Sequence, residues 1–69
     1  MSLENFLKEQ RSEFIQIMTH SLEQGQYDRF DVYYGLYQTL RESMNRHNIP
    51  SAQPDILVKV LYKLRIGLK

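Results

Sequence analysis

The sequence predicts an all-α protein, an antiparallel helical hairpin followed by a shorter C-terminal helix, in a single domain that spans residues 1–69. Apolar residues recur with the 3.6-residue period of an amphipathic helix in the first two segments. Gly25 and Pro50 separate these segments from each other and from a third. A chain of 69 residues without cysteine has a small core and no disulfide to stabilise it. We therefore expect it to form an oligomer.

The first helix is predicted over residues 3–24. Ser2 is a candidate N-cap, because its hydroxyl can accept a hydrogen bond from a free amide of the first turn. Gly25 can adopt the left-handed conformation that commonly ends a helix. The apolar stripe comprises Leu3, Phe6, Leu7, Phe14, Ile17, Met18 and Leu22.

The second helix is predicted over residues 29–47, with Asp28 as its cap and Asn48 closing it. The short connection after Gly25 favours an antiparallel hairpin. Gly35, inside this helix, either allows the close approach of another backbone or has no specific role. The apolar stripe comprises Phe30, Tyr33, Tyr34, Tyr37, Leu40 and Met44, while Val32 and Leu36 lie on a different side.

The third segment is predicted as a helix over residues 54–66, with Pro54 at its first position and Gly67 ending it. The alternation of apolar residues over 56–66 also suits a strand, but a lone strand would have to pair with another chain. As a helix the segment is apolar nearly all round. We expect one face to close the hairpin core, namely Leu57, Val60, Leu61, Leu64 and Leu68.

The sequence contains few residues in patterns typical of catalysis, metal binding or phosphate binding. His20 and His47 do not have the spacing of a zinc motif, and the three glycines are too far apart to form a phosphate-binding loop. No serine lies in a nucleophile motif, and there is no cysteine. The sequence therefore predicts no catalytic residue, no metal, no cofactor and no small-molecule substrate.

Tyrosine, which is enriched at protein interfaces, is the most unusual feature of the composition, with five residues in the chain. On the side of the third helix away from the predicted core lie Val58, Tyr62 and Ile66. We expect these three residues and Tyr34 to bind a protein partner. The predicted function is a non-enzymatic protein–protein interaction, either in a homodimer or with a larger protein.

The charge distribution leaves a second function open. Residues 1–40 carry three basic and six acidic side chains, net −3, whereas residues 41–69 carry six basic and two acidic ones, net +4. A nucleic-acid-binding regulator would use the basic half, and a peripheral membrane binder would use the apolar, basic third segment. The candidate phosphate contacts are Lys59, Lys63, Arg65 and Lys69.

The sequence favours a cytoplasmic location. The longest aliphatic run is residues 56–58, far shorter than a membrane span, and the first residues are too acidic for a signal peptide.

The run from Gln26 to Arg41, QYDRFDVYYGLYQTLR, resembles a pattern in small helical-hairpin proteins of tailed phages. In that pattern a helix ending in glycine precedes a second helix with an aromatic residue, a glycine and a leucine five residues later, which here are Tyr33 or Tyr34, Gly35 and Leu40. Helical secretion chaperones present a similar pattern. The resemblance implies an accessory or virion-associated protein that adapts one larger component to another, in the host cytoplasm or in a virion.

Overall fold

The computed structural model describes residues 2–68, which form three helices: α1 (Leu3–Glu23), α2 (Tyr27–Arg46) and α3 (Ala52–Leu68). The described residues contain no strand, so the helix prediction over 56–66 is confirmed. α1 and α2 pack closely as an antiparallel hairpin, and α3 returns along it at a greater backbone distance from both. The molecule measures 37 × 19 × 16 Å.

α1 begins and ends as the sequence predicts. The Ser2 hydroxyl accepts a hydrogen bond from the Asn5 amide at 3.1 Å. At the other end Gly25 has a φ of +71°, and the amides of Gly25 and Gln26 donate to the carbonyls of Leu22 and Ser21. This pair of bonds is a Schellman motif, in which a left-handed residue lets the chain satisfy the last carbonyls of the helix.

α2 ends in the same way. Asn48 has a φ of 58°, its amide donates to the Asn45 carbonyl, and the Ile49 amide donates to the Met44 carbonyl. Ile49 also packs against Met44, the hydrophobic contact that accompanies this motif. The predicted closure at Asn48 is confirmed.

The start of α2 differs from the prediction. The N-cap is Gln26, whose side chain makes no capping hydrogen bond, and Asp28 lies in the first turn. In that position the Asp28 carboxylate interacts favourably with the positive end of the helix dipole.

α3 is longer than the predicted 54–66 at both ends. It begins at Ala52, so Pro54 lies within the first turn, where a backbone amide has no helical partner to lose. Gly67 is a helical residue and does not end α3, contrary to the prediction.

Two clusters of buried side chains hold the helices together. The larger joins all three helices and contains Met18, Phe30, Tyr37, Val58 and Leu61. The smaller lies at the end of the hairpin near the α2–α3 loop and contains Leu7, Met44 and Ile49. The apolar stripe predicted for α2 is confirmed, because its six residues are buried or half-buried and Val32 and Leu36 are exposed.

Of the two explanations for Gly35, the close approach of another backbone is not observed among the described residues. A Cβ atom built at this residue meets nothing within 4 Å, so no described backbone approaches it closely. The glycine lies exposed in the interior of α2, where it costs helix stability relative to alanine.

Candidate protein-interaction surface

Three side-chain contacts attach α3 to α2, and their order shows that the two helices run antiparallel. Near the start of α2, Arg65 forms two hydrogen bonds with Asp31, from Nε to Oδ1 and from Nη2 to Oδ2, each 3.1 Å long. The Arg65 guanidinium also lies 5.1 Å from the centroid of the Tyr27 ring. A planar guanidinium suits both contacts, since it can bind a carboxylate with two donors and stack on an aromatic face.

One turn farther along α2, Tyr34 stacks on Tyr62 of α3. The ring centroids are 4.7 Å apart and the planes are inclined by 18°. Phe30 extends the stack on the other side of Tyr34, at a centroid distance of 6.1 Å. Aromatic pairs of this kind stabilise by about 0.5–1.5 kcal/mol beyond the area that they bury.

The third contact involves Asp55, at the start of α3. Arg41 Nε donates to Asp55 Oδ2 at 2.9 Å, and the buried Tyr37 hydroxyl donates to Oδ1. Burial alone would raise the pKa of Asp55, but the hydrogen bonds from Tyr37 and Arg41 outweigh it and lower that pKa. Burial and the hydrogen bond to Asp55 raise the pKa of the Tyr37 phenol well above its usual value. Tyr37 is therefore neutral and Asp55 is ionised at neutral pH.

These contacts determine which face of α3 points inward. Asp55, Tyr62 and Arg65 all face α2, and they turn Val58 and Leu61 into the core, where the two side chains are 3% and 6% exposed. The predicted orientation of α3 is therefore wrong. Of the five residues expected to close the core, Leu61 alone is buried.

The opposite side of α3 is an exposed aliphatic surface, which we name the outer stripe. Its residues recur at three- and four-residue intervals and are each between 46% and 62% exposed. They are Ile56, Leu57, Val60, Leu64 and Leu68. Sequence reasoning assigned four of them to the core and gave Ile56 no role.

Charged residues flank the outer stripe. Lys59 and Lys63 lie along the edge nearer α2, in a cleft of about 310 Å³ that also contains the Tyr34–Tyr62 pair. On the edge nearer α1, Leu22 and Glu23 line an apolar groove of about 480 Å³ with Leu64, Gly67 and Leu68, and Lys63 reaches the same groove. The stripe is thus an apolar surface between two lysines and the C-terminal end of α1.

The four residues predicted to bind a partner do not form one surface. Val58 is buried within the chain, so its assignment to a partner-binding face is wrong. Tyr34 and Tyr62 stack on each other, although Tyr62 remains 41% exposed. Ile66 is exposed beside Tyr62, in a shallow depression that Asp31 and Arg65 complete.

The four candidate phosphate contacts are also separated. Lys59 and Lys63 are exposed on one edge of the outer stripe. Arg65 forms an ion pair with Asp31 through Nε and Nη2, which offsets its charge. Lys69 lies outside the described residues.

The two histidines and the potential metal ligands do not cluster among the described residues. His20 and His47 are exposed near the C-terminal ends of α1 and α2, and no group of three or more potential metal ligands occurs within residues 2–68. Every buried side-chain nitrogen and oxygen atom among these residues has a hydrogen-bond partner. In the same part of the chain, no helix has the length and hydropathy needed to cross a membrane.

Comparison of the chain with protein-family models, with curated proteins and with solved structures gives no match. The outer stripe therefore has to be interpreted from its own geometry and chemistry.

Proposed function

We propose that this chain is a non-enzymatic protein–protein interaction protein, and that it contacts its partner through the outer stripe of α3. The observation that carries the proposal is the exposure of five aliphatic residues along one side of a helix that also contributes to the core. Contiguous apolar surface of this kind, bordered by polar residues, is typical of interaction sites.

The energy available at this surface is large for so small a domain. Burying one valine, leucine or isoleucine fully is worth about 1.5–3 kcal/mol. The exposed halves of the five side chains therefore represent roughly 4–7 kcal/mol. That amount is comparable with the whole folding stability of a small domain, about 5–15 kcal/mol, so covering the stripe would also stabilise the attachment of α3.

The aromatic and ionic contacts between α2 and α3 support the same proposal. They hold α3 in one orientation, so its outer face is a preformed surface and binding does not have to order the helix first. Preorganisation of this kind lowers the entropic cost of association. The origin suggested by the resemblance of residues 26–41, a tailed-phage accessory or virion-associated adaptor, stays a prediction within this proposal.

Site-specific photo-crosslinking in the producing cell tests the proposal. A photoreactive amino acid at Val60, on the stripe, should give a discrete crosslinked product, because a partner covers that position. The matched control is Val32, an exposed valine on the outward side of α2. A product at position 60 but not at 32 supports the proposal, whereas no product at 60, or the same products at both positions, would contradict it.

A further inference from the structure

We infer that the outer stripe is covered by a second copy of this chain, in a dimer whose two α3 helices pack side by side and parallel. This inference rests on the proposed function and names the partner of the same surface. The charges near the C-terminal ends of α1 and α3 favour this occupant and this direction of packing.

Opposite charges flank the outer stripe at the C-terminal ends of α1 and α3, whereas Lys8 and Arg11 lie on the α1 side near the start of α3. Lys63 lies on the edge nearer α2, and Glu23 lies on the edge nearer α1. Both residues line the groove at the C-terminal ends of α1 and α3, so they lie at the same position along the helix axes. They do not form an ion pair with each other among the described residues.

A two-fold axis parallel to α3 brings these charges together. Rotation by a half-turn about such an axis keeps every residue at its own height and exchanges the two edges. Lys63 of each copy then faces Glu23 of the other, and the contact occurs twice, as in any isologous interface. A two-fold axis perpendicular to α3 pairs each edge with the same edge of the other copy, so lysines would meet lysines. At the level of Lys63 and Glu23, charge complementarity therefore favours the parallel arrangement.

The distribution of charge along the chain favours the same occupant. α1 carries four acidic and two basic side chains, net −2, whereas α3 carries three basic and one acidic, net +2. In the parallel dimer α3 of each copy lies beside α1 of the other, so the basic segment of one copy approaches the acidic segment of its partner. Such an arrangement attracts a second copy before contact.

A dimer interface of standard size would cover a substantial part of this small chain. A standard interface buries about 800 Å² per partner, which is roughly one-sixth of the 4842 Å² accessible surface of the described chain. The outer stripe runs over Ile56 to Leu68, nearly the whole length of α3, and the groove beside Leu22 widens it at one end. An apolar centre with a polar rim is typical of such an interface.

Light scattering and sedimentation equilibrium over a concentration series test the inference. The wild-type chain should have twice the mass of one chain at high concentration and dissociate on dilution. Val60→Asp should weaken the association by a factor on the order of ten or more, because it places a charge at the centre of the contact. Val32→Asp, the same change at an exposed valine off the stripe, should leave the association unchanged, and circular dichroism checks that both variants keep their helices.

Charge reversal tests the direction of packing. Lys63→Glu alone and Glu23→Lys alone should each weaken the dimer several-fold, and the double variant should recover most of the loss. A wild-type chain that stays monomeric over the whole series would overturn the inference. A dimer that Lys63→Glu strengthens would overturn the parallel arrangement. Crosslinking at position 60 then distinguishes failure of the dimer from failure of the proposed function. A crosslinked product with a different protein supports the proposed function without the dimer. The absence of any product contradicts both.

Discussion

Tyr34 of α2 and Tyr62 of α3 stack with their ring centroids 4.7 Å apart, between two ion pairs that also join the two helices. Asp31 and Arg65 lie on one side of this pair along the helices, and Arg41 and Asp55 lie on the other. Three contacts in antiparallel register therefore attach an apolar helix to the hairpin, and they leave its outer face uncovered.

The tyrosine pair should contribute to folding stability and not to partner binding alone. We expect a double-mutant cycle with Tyr34→Leu and Tyr62→Leu to give a coupling energy of about 0.5–1.5 kcal/mol. Urea unfolding at one fixed protein concentration measures it. A coupling energy indistinguishable from zero would mean that the two rings do not stack in solution. For the same reason Tyr62→Asp should destabilise the attachment of α3 even in a single chain.

Asp55 should make stability depend on pH. Its folded-state pKa is lowered, so its contribution is complete above the unfolded-state pKa of about 3.9 and is lost as the pH falls below that value. Asp55→Asn should cost about 1–3 kcal/mol at pH 7, because Arg41 and Tyr37 lose a charged acceptor. Urea unfolding at pH 7 and pH 3 should show that the difference between wild type and variant shrinks at pH 3. An equal difference at both pH values would contradict the ionised Asp55.

Arg65 should stabilise the fold through its two bonds to Asp31 and its stacking on Tyr27. Because these contacts are partly exposed, we expect Arg65→Ala to cost about 1 kcal/mol. Arg65→Lys should lose most of the same amount, since an ammonium group cannot reproduce the paired geometry. Lys59→Ala, which removes an exposed charge from the same helix, is the control. Urea midpoints that are equal for all three variants would show that the Arg65 contacts do not form.

The glycines of the hairpin should respond oppositely to alanine. Gly25 has a φ of +71° and open space around its Cα, so Gly25→Ala should destabilise the protein by about 1 kcal/mol through the backbone alone. Gly35 is helical and equally open, so Gly35→Ala should stabilise it by about 0.5–1 kcal/mol. Thermal unfolding distinguishes the two signs. A loss of stability at Gly35 would indicate that another backbone does approach this helix.

The sequence was sufficient to predict the helices and most of their ends, because those features depend on local signals. Ser2, Gly25 and Asn48 satisfy the terminal backbone groups of their own helices, whatever lies beyond. The start of α3 was missed by two residues, since Pro54 is tolerated anywhere in the first turn. The stripe of α2 was predictable because a clear polar face lies opposite it.

The orientation of α3 was not predictable from periodicity, because the helix is apolar on nearly every side. By hydrophobicity alone, Leu57, Val60 and Leu64 are as suitable for the core as Val58. The choice is made by the polar and aromatic contacts of Asp55, Tyr62 and Arg65, which join residues far apart in the chain. The signal in the sequence is that all three lie on one side of α3 and find their partners at matching intervals along α2.

The accessibility of the outer stripe in solution is the most direct test of the claim that a second copy covers it. Because the chain has no cysteine, Val60→Cys and Val32→Cys each provide a single thiol whose rate of labelling by a maleimide reports exposure. Both valines are exposed in one chain, 49% and 60% respectively. If a second copy covers α3, labelling at position 60 should slow as the protein concentration rises while labelling at position 32 does not. Rates at position 60 that stay independent of concentration and similar to those at position 32 would contradict it.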